Sequence, residues 1–346
     1  MTDTANAWQV VGGLGPLIFI ASLAVSSLLI VLLMPIFRRF ALAVPTARSS
    51  HKAVTPQWGG LAVVASTLGV TVLVLLWSSQ FPAVANGRIG VVLGAALLLA
   101  VVGAIDDVRH LSAAPKLVAQ AVAILLVIAA LPAGMRVCPL VPLPIERMLL
   151  FVAGLWFVNV VNFMDGIDWM MVAEVVPITA GVALVGALGA LPPAALIVAL
   201  ALNGAMLGFA PFNRPVARLF LGDMGSLPAG LLLLWLLFLV AGSGHIAAAL
   251  LLPLYFVADA SVTLARRFLT RERVWEAHRT HFYQQARDNG FSSMEIIGRV
   301  FAVNCGLVGL AALSVVFASP AGSVGALALG VALVAWLMTV FARRRP

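Results

Sequence analysis

Charge is what this sequence has least of. Only 10% of its 346 residues are Asp, Glu, Lys or Arg, against roughly a quarter in soluble domains. With 62% hydrophobic residues and a mean hydropathy of +1.10, this excludes a soluble globular chain. Cysteine is scarce too: Cys138 and Cys305 lie far apart and give neither a disulfide framework nor a metal-ligand spacing. No HExxH and no cysteine pair occurs, so the common zinc sites are missing. A Walker A lysine motif is absent, so a nucleotide bound here need not be ATP. The N-terminus, MTDTANAWQV, lacks a basic n-region, so the first apolar run reads as a retained span rather than a cleaved signal peptide. Nothing points to a nucleic acid partner.

What the chain has is apolar runs. Crossing a ~30 Å hydrocarbon core takes roughly 17–25 residues. Eleven runs qualify, at about 15–37, 58–77, 89–105, 117–133, 148–164, 172–189, 193–211, 225–241, 244–264, 300–318 and 322–341. The expectation is an all-α, polytopic membrane protein, one membrane-embedded domain over 1–346, with a basic polar segment at 265–299. Placing the N-terminus outside puts eighteen of the twenty-one basic residues on the cytoplasmic side; only Arg88, Arg136 and Arg147 fall opposite. The positive-inside rule therefore predicts a cytoplasmic C-terminus.

Acidic residues have little say in topology, so their placement is separate information. Eleven of thirteen share the cytoplasmic side, and Asp106, Asp107, Asp165, Asp168, Asp223 and Asp259 are expected at span ends or in short loops there. A transporter, the main competing reading, would place ionisable groups near the midplane at broken helices. Carboxylates gathered at one surface favour chemistry on a cytosolic substrate.

Four constellations carry that chemistry. GAIDDVRH holds adjacent Asp106 and Asp107, one of which should have a raised pKa unless a cation lies between them; a general base, a cation partner or a solvated helix end all fit. In VNFMDGIDWMM, helical steps of three residues spread Asn162, Asp165 and Asp168 over an arc of roughly 120°, enough to line one side of a cleft. Gly166 would let a ligand approach the backbone. Within FNRPVARLFLGDMGSLPAG, Asp223 sits between glycines at a helix start, where backbone N–H groups can hold phosphate and the carboxylate can hold Mg²⁺. An N-cap and tight turn explain that piece equally well. AHRTHFYQQ offers His278, Arg279 and His281, and SSHKAVTPQWGG offers Lys52, as contacts for a diphosphate or for lipid headgroups. Carboxylates for Mg²⁺, basic groups and a glycine-flanked turn together suit phosphoryl transfer.

The ordered blocks HK-x-x-TP-x-x-GG, DD, N-x-x-N-x-x-DG-x-D, N-x₉-D within GD-x-GS, and H-x-x-H resemble the polyprenyl-phosphate N-acetylhexosamine-1-phosphate transferases, over about Ser49 to Gln285. The resemblance implies transfer of HexNAc-1-phosphate from a UDP-sugar to undecaprenyl phosphate, releasing UMP, at the cytoplasmic face of a bacterial inner membrane. It implies Mg²⁺ (or Mn²⁺) on Asp223, with Asn162 as metal or diphosphate contact. Asp168 would meet uracil, and Asn213 and Phe220 would line the nucleotide pocket. Asp106 or Asp107 would act as base, with Asp165 also among the catalytic carboxylates; His278, Arg279, His281 and Lys52 would contact phosphates or sugar. The form NFMDGID with HRTHFYQ is most similar to members that begin O-antigen or related surface glycans; a homodimer is allowed for. Trp169 stands where the family usually has glycine, which would narrow the pocket or change the turn. HRTH lacks a third histidine common in the family.

Overall fold

The computed structural model describes residues 2–43, 54–77, 88–272 and 279–345, with backbone alone for 2–12 and 189–190. Apolar chain withdrawn from water must satisfy its own N–H and C=O groups, and helices do so within one segment. In chain order the helices are α1 (Thr2–Phe40), α2 (Gly59–Trp77), α3 (Arg88–Arg109), α4 (Ala113–Ala129), α5 (Leu143–Met164) and α6 (Met170–Val185). There follow α7 (Pro193–Phe209), α8 (Asp223–Gly242), α9 (Ile246–Leu251), α10 (Leu254–Leu269), α11 (Phe282–Asp288), α12 (Ser293–Val316) and α13 (Pro320–Ala342). Two short strands, β1 (Leu42–Ala43) and β2 (Thr55–Pro56), pair antiparallel after α1.

Nine of the helices among the described residues are long and apolar enough to cross a bilayer, so the chain is an all-α multi-pass membrane protein. Two of the eleven expected spans take another form. The fourth, 117–133, is the shorter α4 of 17 residues, which ends ahead of Pro132. The ninth, 244–264, is split into α9 and α10 at Leu252–Pro253, because proline removes a donor and clashes with the preceding turn. Within 265–299, α10 runs on to Leu269 and α11 forms a short separate helix.

The bundle is organised around α8, in which every residue from Gly225 to Ala241 is buried. It packs against α3, α5, α2, α9 and α6. Small residues set how closely these helices approach. A Cβ on Gly60 would overlap the backbone of Gly225, and one on Gly103 would overlap the carbonyl of Asp223. The C-terminal end of α3 is thereby pressed onto the first turn of α8. The segment after β2 completes the arrangement: Phe220 N–H donates to Pro56 (2.8 Å), and Gly59 and Gly60 N–H donate to Phe220 and Leu221 (2.9 Å each).

Candidate active site

Helix α5 stops at Met164, and residues 165–169 turn into α6. Asn162 is therefore on the last turn of a helix, while Asp165 and Asp168 lie in the turn. The helical arc expected of the three is not formed, because Asp165, with φ −76° and ψ 53°, leaves the helix just before Gly166. The turn still directs all three to one small polar cavity of about 200 Å³, shared with Asp107, Asn213, Phe220, Gly222 and Asp223. Gly166 is needed for an internal neighbour: a methyl group there would collide with the hydroxyl of Tyr283.

Trp169 takes φ 64° and ψ 0°, the left-handed conformation that glycine adopts without strain. The turn is thus kept with a tryptophan in it. Its N–H donates to Asn213 Oδ1 (2.7 Å) and its indole N–H to the Ala210 carbonyl (2.6 Å). The ring points to the end of α7 and is not among the residues lining the polar cavity, so the expected narrowing is not seen. Asn213 ties the pieces together, since its Nδ2 also donates to Leu219 (2.9 Å). Asp168 Oδ2 accepts from Ala217 N–H (3.0 Å), holding the same loop from the other side.

The adjacent aspartates divide their work. Asp107 accepts from Asp223 N–H (3.0 Å) and Met224 N–H (3.3 Å), so a side chain of α3 caps α8. Gly225 and Ser226 N–H both turn back to Gly222 O. These donors are therefore committed, and of the two readings open for this turn the structure shows the intramolecular cap. Asp106 accepts from Leu111 N–H (2.7 Å) and from Lys116 Nζ (2.8 Å). The same ammonium lies 3.6 Å from Asp223 Oδ2, bridging two carboxylates. Asn162 Nδ2 donates to Asp223 Oδ1 and to Ser226 Oγ, both at 2.9 Å.

Asp165 is crowded by carboxylates. Burial first, then the charges of Asp223, Asp107 and Asp168, push its carboxyl up to about 8. Such a wall calls for a cation, and its oxygen donors are the set Mg²⁺ prefers. Among the described residues no three Asp, Glu, His or Cys side chains form a ready metal cage. Asn162 and Asp223 are the oxygen-bearing residues that would hold such an ion.

A second cavity, about 1050 Å³, opens on the other side of Asn162 and Asp223, which line both spaces. Its walls are mostly apolar, with Leu117, Val152, Trp156, Phe163, Leu227 and Phe268 among them, and Lys116 and His281 contribute polar groups. Arg279 is half-buried outside both linings, with its Nε unpartnered among the described residues. Lys52 and His278 lie outside the described residues.

Two residues of this region carry no site role in the sequence reading. Lys116 entered only as a charge in the topology count; its signal was a lysine opening an apolar run ten residues after an acidic pair. Asp259 was expected at a span end or loop, but it is fully buried within α10. A carboxylate inside an apolar run is itself a flag for function.

The family described as Glycosyl transferase family 4 matches residues 89–241. The chain is 30% identical to a decaprenyl-phosphate N-acetylglucosaminephosphotransferase of Mycolicibacterium smegmatis, covering 85% of this chain and 79% of that one. It is 32% identical to a phospho-N-acetylmuramoyl-pentapeptide-transferase of Synechococcus, over 82% and 88% of the two chains. A probable undecaprenyl-phosphate N-acetylglucosaminyl 1-phosphate transferase of Bacillus subtilis is 25% identical, over 82% and 83%.

Proposed function

The chain belongs to glycosyl transferase family 4, the polyprenyl-phosphate sugar-phosphate transferases, and from that premise we propose that it transfers a HexNAc-1-phosphate from a UDP-sugar to a polyprenyl phosphate. One observation carries this reading. A small polar cavity and a large apolar one meet at Asn162 and Asp223, as a reaction between a nucleotide sugar and a lipid phosphate requires.

In this reading the polar cavity takes the nucleotide, with Asp168, Asn213 and Phe220 around the base, and the apolar cavity takes the isoprenoid. The lipid phosphate oxygen bonds to the sugar-bearing phosphorus while the bond from that phosphorus to UMP breaks, and the electron pair leaves with UMP. Mg²⁺ held by Asp223 and Asn162 would supply charge neutralisation on the diphosphate. Lys116, between Asp106 and Asp223, is placed to receive the incoming lipid phosphate. Asp106, Asp107 and Asp165 are the candidate carboxylates for taking a proton from that phosphate; Arg279, Lys52 and His278 remain candidate phosphate contacts. The product begins a cell-surface glycan, and the basic-residue distribution puts the site at the cytoplasmic face of a bacterial inner membrane.

Purified protein incubated with undecaprenyl phosphate, Mg²⁺ and a panel of UDP-HexNAc donors should release UMP in a lipid-dependent manner. Release without the lipid, or none with any donor, would overturn the assignment. The same panel would identify the sugar.

A further inference from the structure

Asp259 has no exposed surface and lies in the middle of α10. Five donors converge on its carboxylate. Two come from its own helix, Tyr255 Oη (3.2 Å) and Thr263 Oγ1 (3.3 Å), one turn to either side. Three come from the segment that carries the HRTH motif: Phe282 N–H (2.9 Å), Tyr283 N–H (3.2 Å) and the His281 ring through Nδ1 (3.3 Å). A buried carboxylate is costly unless donors fill both oxygens, and here one residue gathers them from two elements.

His281 is the one of these partners that reaches the site. Its ring is 3% exposed, lines the apolar cavity together with Lys116, Asn162 and Asp223, and stacks on Tyr283 at 5.8 Å. An ionised carboxylate only accepts, so its contact with Nδ1 selects the tautomer that bears hydrogen there. That leaves Nε2 as the acceptor nitrogen of a ring that lines the cavity. Orienting groups behind a functional histidine act in this way in general.

We propose that Asp259 is a positioning residue of the transferase site: it fixes the ring orientation and tautomer of His281, presenting Nε2 to the phosphate end of the apolar cavity. The inference rests on the transferase reading for its catalytic consequence, and on the buried geometry alone for its structural one. It also accounts for a carboxylate within an apolar helix that touches neither cavity.

The test compares Asp259→Asn, His281→Gln and the double variant. Asp259→Asn should lower kcat by about ten- to a hundredfold, leaving KM for the UDP-sugar within about twofold because the nucleotide cavity lies elsewhere. In the His281→Gln background the same substitution should add less than about a twofold loss, since it acts through that ring. Hydrogen exchange should show the Phe282 and Tyr283 amides losing protection in Asp259→Asn. Independent, multiplying effects on kcat, or unchanged protection of those amides, would overturn the proposal. If Asp259→Asn does not purify as a monodisperse protein, Asp259→Glu, which keeps the charge but displaces the ring by a methylene, is read by the same criteria. Should the wild-type protein release no UMP with any donor, the transferase reading fails, and the exchange pattern then decides the positioning role by itself.

Discussion

Asp165 shares one small cavity with Asp107, Asp168 and Asp223, and its carboxyl is held at about 8 against an ordinary value of 3.8. The folded protein grips this proton more tightly than the unfolded chain does. The associated stability is therefore complete below the ordinary carboxylate range and is lost as pH rises toward about 8. In detergent with a chelator, the melting temperature should fall as pH rises from about 4 to about 8 and level off above that, and Asp165→Asn should flatten that fall; an equal slope in both proteins removes Asp165 as the titrating group. Asp223→Asn exchanges an anionic ligand for a neutral amide, a poorer partner for Mg²⁺. Turnover should drop by about a hundredfold or more, and added Mg²⁺ should raise the melting temperature of the wild type but not of the variant. Undiminished turnover at limiting Mg²⁺ would take Asp223 out of the metal site. At this scale the sequence named most of the side chains that meet at the cavities, because a carboxylate in an apolar run is conspicuous. Lys116 and Asp259 were given no role at the site, since their roles depend on which helices they face.

At the scale of elements, the contact between α3 and α8 holds the site. Gly103 lets the helices touch where Asp223 begins α8, and Asp107 caps that helix across the interface. Gly103→Val should force the pair apart, costing about 1–3 kcal/mol and lowering turnover even though no ligand-contacting atom changes. A variant with wild-type melting and activity would show that the close approach is not needed. Asp107→Ala should cost about 0.5–2 kcal/mol through the lost cap, measured as a reduced melting temperature with the catalytic loss on top. The break between α9 and α10 is an element-scale feature that Pro253 signalled in the sequence, though an uninterrupted hydropathy run concealed it. Likewise α5 ends at Met164, with Asp165 already out of the helix, in time to turn Asp165 and Asp168 toward the same cavity as Asn162.

Over the whole molecule, the charged side chains, Asn162 and Asn213 of the two cavities sit at one end of the bundle: the end of α3, the start of α4, the end of α5, the loop before α8 and the segment before α11. Basic residues crowd the loops at that end, and the positive-inside rule predicts that it faces the cytoplasm. In a background with Cys138 and Cys305 replaced by serine, Leu140→Cys, 95% exposed in the opposite loop, should react with an impermeant thiol reagent in intact cells. Asp288→Cys, exposed at the last residue of α11, should react only after permeabilisation. The reverse pattern would invert the molecule and move the site to the outer face.

The sequence by itself determined the class of protein and the chemistry available to it. Apolar runs of spanning length dictate helices because a bilayer offers the backbone no other donors or acceptors, and carboxylates among them demand a use. Residues 162, 165 and 168, close along the chain, were legible as one group for that reason. Tertiary structure alone decided how distant pieces combine: Asp107 capping a helix 116 positions away, Lys116 bridging Asp106 and Asp223, and Asp259 gathering the histidine segment. Those contacts follow from which helix faces meet and how closely their glycines let them approach, and apolar stripes that look alike along a sequence do not say which partner they pack against.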